Sequence, residues 1–112
     1  MKLMKTEILE LIRENQRVSF AELARDVAGF NAADMIDAHE LGGDYPGVLL
    51  WSGLSRPAFD ALRSLQAAGR IRAEPCGLMV YLIDGLSLSL PIAKPGRRYR
   101  RPRWLPVTWS TC

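Results

Sequence analysis

One helix with both of its ends marked constrains this chain more than any other feature. The stretch from Leu54 to Asp84 reads LSRPAFDALRSLQAAGRIRAEPCGLMVYLID. Ser55 suits the N-cap, because its hydroxyl can accept a bond from a first-turn amide that has no partner within the helix. Pro57 falls in the first turn, where a missing N–H costs nothing. Ala58, Phe59, Ala61, Leu62, Leu65 and Ala68 recur at helical spacing and make one apolar stripe. Gly69 stops the helix, since it takes the left-handed conformation that closes a helix C-terminus. Two β-like runs follow, over 70–74 and 78–83, with Pro75, Cys76 and Gly77 as the turn between them. The expectation is a helix over 55–68 that leads directly into a hairpin.

The preceding residues supply a matching front half. Met4, Ile8, Leu11 and Ile12 form a helical stripe over 2–15. Val18-Ser19-Phe20 is long enough only for a bridging strand. Ser19 and Glu22 fit a capping box, in which each side chain satisfies the other residue's backbone amide. Phe20, Leu23, Ala24 and Val27 then give a second helix, over 20–27, its buried face. On Val18 to Ala24 (VSFAELA), and on Leu54-Ser55 through Gly69-Arg70-Ile71, the chain resembles the winged helix-turn-helix family of DNA-binding domains. The resemblance covers most of residues 2–84. It implies an α+β fold of three core helices and a two- to three-stranded antiparallel wing, with the third helix as the reader of a DNA major groove.

Residues 29–53 depart from the simplest form of that family, which joins its two helices in three or four residues. Asn31 can cap a short inserted helix over 32–39. Leu41 to Gly47 is a loop by composition, and Val48-Leu49-Leu50-Trp51 is an apolar run in which Trp51 is expected as a core anchor. Asp34, Asp37, Glu40 and Asp44 surround His39. They lack the alternating ligands and central glycine of a calcium loop, so a solvated face is expected there. Past the hairpin, Asp84-Gly85 favours a tight turn. Leu86-Ser87-Leu88-Ser89-Leu90 alternates as a half-buried strand does, which makes a third wing strand over 86–91.

The net charge of +3 conceals a segregation. Residues 1–84 hold nine basic and twelve acidic side chains, whereas residues 85–112 hold six basic and no acidic ones. The six are Lys94, Arg97, Arg98, Arg100, Arg101 and Arg103. A balance of −3 followed by +6 points to a polyanion-binding segment on an acidic body. Pro95, Pro102 and Pro106 argue for an extended arm. Trp104, Leu105, Val107 and Trp109 are apolar enough to anchor its far end, on this fold or on a second copy. The expected organisation is a winged-helix domain over 1–93, with 29–53 as an insertion, followed by a basic arm with an apolar anchor over 94–112.

Catalysis finds little support in the sequence. There is no GxxxxGK[ST] phosphate cradle, GxSxG elbow, HExxH or CxxC pair. Two cysteines and one histidine do not make a zinc site at their spacing, so no enzyme activity, metal or cofactor is expected and Cys76 and Cys112 are expected as reduced thiols. Glu7 and Glu10 interrupt what would be a signal-peptide core, and no apolar run approaches a membrane span. A cytoplasmic protein without membrane contact is expected.

For DNA binding, the third helix would present Ser55, Arg56, Asp60, Arg63 and Ser64 outward. The arginines reach bases or phosphates, the serines reach phosphates, and Asp60 repels phosphate unless it meets a cytosine amino group or an arginine. Arg70 and Arg72 alternate on the first wing strand and would touch backbone. In the arm, Lys94, Arg97, Arg98, Arg100, Arg101 and Arg103 would grip phosphates or enter a narrow minor groove, with Tyr99 stacking or bonding among them. The expected function is sequence-specific binding of double-stranded DNA by a transcriptional regulator of bacterial or phage type. The expected state is a homodimer that meets itself through helix one and the Trp104–Trp109 segment. The alternatives are a protein-interaction adaptor and an RNA-binding module.

Overall fold

Three of the helices form where their apolar stripes put them, two of them behind serine caps, and the sheet assembles from strands far apart in sequence. The computed structural model describes residues 3–31, 48–85, 88, 90–94, 97–101 and 103–112. Along these run α1 (Met4–Asn15), β1 (Val18–Ser19), α2 (Phe20–Asp26), β2 (Val48–Leu49), α3 (Arg56–Ala67), β3 (Ile71–Pro75), α4 (Leu78–Asp84), β4 (Arg103–Trp104) and β5 (Val107–Thr111). The fold is mixed: among the described residues there are four helices and a small antiparallel sheet, with a separate parallel pair of short strands. The expected inserted helix over 32–39, with His39, Asp34, Asp37, Glu40 and Asp44, and the loop 41–47 lie outside the described residues. Among the described residues, no helix is long and apolar enough to cross a membrane.

Local chemistry accounts for α2 and α3. Ser19 Oγ accepts from Glu22 N at 3.1 Å and opens α2. Ser55 Oγ accepts from Ala58 N at 3.2 Å and opens α3, whose first turn holds Pro57. Gly69, at φ +70°, closes α3 in the left-handed region. The buried face of α3 is Ala58, Phe59, Ala61, Leu62 and Leu65, and it packs on α1 and β3.

The expected wing is corrected by the structure. Residues 78–83 are not its second strand: they lie in α4. The strand that pairs with β3 is β5, in the antiparallel register Ile71↔Thr111 through Pro75↔Val107. On its other edge β5 pairs with β1, Val18↔Trp109 and Ser19↔Thr108, so the sheet order is β1-β5-β3. The segment expected as an arm with an anchor therefore contains the central strand of the sheet. Physical preference explains the exchange. Val-Thr-Trp-Ser-Thr is rich in the β-branched and aromatic residues that suit a pleated surface. With that edge of β3 taken, Leu78–Asp84 has no ladder to join there, and a continuous apolar run fits helix and strand equally well. Gly85, expected in a hairpin turn, instead stops α4 at φ +83°, its N–H donating to Tyr81 O at 2.9 Å. Of the expected third strand over 86–91, Leu86, Ser87 and Ser89 lie outside the described residues, and Leu88, Leu90 and Pro91 are not in a strand.

Aromatic side chains hold the centre. Trp51 stacks on Phe20 at 5.6 Å between ring centroids and on Tyr81 at 5.5 Å, while Tyr81 meets Trp104 edge-on at 4.8 Å. Trp109 meets Phe20 edge-on at 5.7 Å. Trp51 is thus the core anchor its apolar neighbours suggested. Trp104 and Trp109 are both 0% exposed, which corrects their expected place on a dimer surface. Rings already removed from water within one copy have no surface left to offer a second.

Candidate nucleic-acid interface

The cationic side chains singled out from the sequence emerge from α3, from the start of β3 and from the segment before β4, and each place fixes them differently. On α3, the stripe that buries Phe59, Leu62 and Leu65 leaves Arg56, Asp60, Arg63 and Ser64 exposed. Arg56 and Asp60 are one helical turn apart, with NH1 and Oδ1 separated by 3.9 Å and side chains 70% and 63% exposed. A pair this open is worth about 0.3–0.5 kcal/mol and does not commit Arg56. Ser55, expected among the contact residues, is corrected. It is buried, and its hydroxyl donates to Gly29 O at 2.7 Å while accepting from Ala58 N. Its cap leaves nothing to offer a phosphate.

At the start of β3, Ile71 is buried, while Arg72 and Arg70, the residue just before the strand, are exposed, as alternation requires. Arg72 is already engaged. Its Nε donates to Glu74 Oε1 at 2.5 Å and its NH1 to Thr111 O at 3.0 Å. The hydrogen bond from Arg72 to Glu74 raises the guanidinium pKa further above its ordinary value. Arg72 therefore meets any polyanion with part of its charge offset, whereas Arg70 stands beside Arg13 of α1. These two line a depression of about 280 Å³ with Leu9, Gly69, Thr111 and Cys112. Arg13 was not among the residues singled out from the sequence. Its only signal is a cation in the last turn of α1, and its nearness to Arg70 follows from the packing of α1 on α3.

The arginine-rich segment is a closed loop and not an extended arm. At its neck, Trp104 N donates to Pro91 O at 2.8 Å and Ala93 N to Trp104 O at 2.7 Å. β4 then lies parallel to β2, Val48↔Arg103 and Leu49↔Trp104, and Leu105 N donates to Leu49 O at 2.9 Å. The Trp104 indole locks the neck from inside, donating to Leu50 O at 3.0 Å. Within the loop, Lys94 N donates to Tyr99 Oη at 2.8 Å, and the Arg103 guanidinium lies 4.8 Å from the centre of the Tyr99 ring. Arg103 NH1 also reaches Ile92 O at 3.4 Å. Tyr99 and Arg103 are thus the internal ties of the loop. Arg97, Arg98, Arg100 and Arg101, with the side chain of Lys94, are left exposed on it.

The structure brings Lys94, Tyr99 and Arg103 together, pairs Arg56 with Asp60, and joins Arg72 to Glu74 and Thr111. It seats α3 against α1 and β3, while the loop closes on β2. Among the described residues no group of histidine, cysteine, aspartate and glutamate side chains is arranged to hold a metal ion. Comparison of the chain with protein-family models, with curated proteins and with solved structures finds no match in any of the three.

Proposed function

We propose that this chain is a winged helix-turn-helix domain that binds double-stranded DNA as a transcriptional regulator, without enzymatic activity of its own. The sheet order β1-β5-β3 supports the winged-helix reading: the short strand between the first two helices pairs with the last strand, and that strand with the one leaving α3. In that reading α4 and the basic loop are carried inside the wing, between β3 and β5. The observation that carries the DNA reading is the loop itself. Arg97, Arg98, Arg100 and Arg101 project from a segment tied at its neck and across its middle, so little ordering remains to be done when phosphates arrive. α3 would enter the major groove with Arg56, Arg63 and Ser64, Arg70 would meet the flanking backbone, and the loop would hold phosphates or a narrow minor groove.

Salt dependence tests the proposal. Binding to duplex DNA of random sequence should weaken log-linearly with salt, and four loop arginines at phosphates give a slope of about −4. The double variant Arg100→Ala/Arg101→Ala should weaken all sequences alike and bring that slope down by about 2. Arg56→Ala should relax sequence preference instead. A salt-insensitive wild type, or duplex RNA that competes better than duplex DNA, would remove the proposal.

A further inference from the structure

Helix α4 turns four large apolar side chains out of the fold: Leu78 is 38% exposed, Met79 65%, Leu82 56% and Ile83 79%. α4 is held chiefly by the buried Tyr81 and the half-buried Val80, which face the core, while Met79 and Ile83 stand farthest out. A helix of seven residues does not stand by itself in water. The nine residues from Pro75 to Ile83 include no charged side chain. Ile92, 40% exposed, continues the apolar surface. Beside it lies a depression of about 370 Å³ lined by Pro75, Gly77, Leu78, Ile92, Leu105 and Pro106. An apolar ridge and an apolar hollow therefore adjoin, sharing Leu78 and Ile92.

We infer that this surface is a two-fold interface between two copies of the chain, with the α4 ridge of each copy seated in the hollow of the other. A two-fold contact must be complementary to itself. A ridge next to a hollow of the same apolar character meets that requirement, and an uncharged surface gives an acidic or basic partner nothing to pair with. The size is sufficient: covering the five exposed side chains on both copies removes on the order of 1,000 Å² from water, the threshold for a specific interface. The position also fits. Tyr81 ties α4 to Phe20 at the start of α2, whereas Ser55 at the start of α3 is tied to Gly29 just beyond the end of α2. The contact lies at the opposite end of α2 from the first turn of α3, so Arg56 and Asp60 remain uncovered. The inference is independent of the nucleic-acid reading and can fail without it.

Sedimentation equilibrium of the full chain tests it. Between about 1 μM and about 500 μM the wild-type mass should rise from 12.5 kDa toward twice that value. Met79→Glu and Ile83→Glu should each weaken association at least tenfold while keeping, at about 1 μM where both are monomers, the wild-type circular dichroism and melting temperature, because both side chains are exposed in the single copy. Leu3→Glu, which changes an apolar residue 73% exposed and outside the patch, should associate like the wild type. Methyl NMR of the wild type gives a readout that needs no variant: the Met79 signal should move with concentration and the Met4 signal should not. A wild type that stays monomeric throughout, whatever other protein then proves to occupy the face, overturns the inference. So does association that survives both α4 variants, is lost equally in Leu3→Glu, or leaves the Met79 signal unmoved.

Discussion

The Tyr81 hydroxyl donates to Val107 O at 2.6 Å, and the same oxygen accepts from Phe20 N at 3.1 Å. One phenol thereby joins α4 to the first residue of the central strand and to the first turn of α2. Tyr81 is 0% exposed, so no water can replace either bond. Tyr81→Phe keeps the ring and strands two buried backbone groups, and it should destabilise the domain by about 1–3 kcal/mol in urea denaturation. A change within the error of the measurement would mean that the two backbone groups find other partners.

Ser55→Ala should cost about 1–2 kcal/mol, because it removes the α3 cap and leaves Gly29 O without its hydroxyl donor. At temperatures where the variant is fully folded, its DNA affinity should equal that of the wild type. An affinity loss without a stability loss would return Ser55 to the contact surface.

Gln16 occupies φ +50°, ψ +157°, a conformation close to one that only glycine adopts without strain. Its side chain holds it there: Nε2 donates to Thr111 Oγ1 at 2.8 Å, and Oε1 accepts from Thr111 N at 3.0 Å. Gln16→Ala loses the bonds and keeps the strain, whereas Gln16→Gly loses the bonds and relieves it. The glycine variant should therefore be the more stable of the two by about 1 kcal/mol. Equal midpoints in thermal unfolding would count against a strained turn held by Thr111.

Tyr99→Ala should lower DNA affinity about three- to tenfold with little effect on the melting temperature, since it unties the loop without touching the core. Tyr99→Phe should fall between the two, because it keeps the ring under Arg103. Fluorescence anisotropy with a labelled duplex measures both. Unchanged affinity in Tyr99→Ala would mean that the ties do not preorganise the arginines.

Asp60→Asn should raise DNA affinity about two- to fivefold at low salt, because it removes a repelling carboxylate and releases Arg56 from its loose pair. The gain should shrink as salt rises, since both groups are exposed and screened. A loss of affinity confined to particular sequences would show instead that the carboxylate reads a base.

The sequence by itself determined the elements whose chemistry is local. Ser19 and Glu22 start α2, Ser55 and Pro57 start α3, Gly69 ends it, and the spacing of Phe59, Leu62 and Leu65 selects its inner face. Each involves groups within a turn or two of one another, so the residues in the string are also neighbours in space. The exposure of Arg56, Asp60, Arg63 and Ser64 followed from the same period. What only the tertiary structure decided was which partner each element takes. Leu78–Asp84 and Val107–Thr111 are both apolar enough to be strands, and the choice between them rests on a ladder that β3 forms with residues more than thirty positions away. Once Val107–Thr111 fills the centre of the sheet, Leu78–Asp84 is left to form a helix. The arginines are drawn into a loop whose neck is Trp104, docked on Leu50. Strand pairing is non-local, and a continuous apolar run has no period to announce it. The burial of Trp109 and the exposed ridge of α4 follow from that pairing, and the path of the basic segment and the burial of Trp104 from the second one, between β2 and β4.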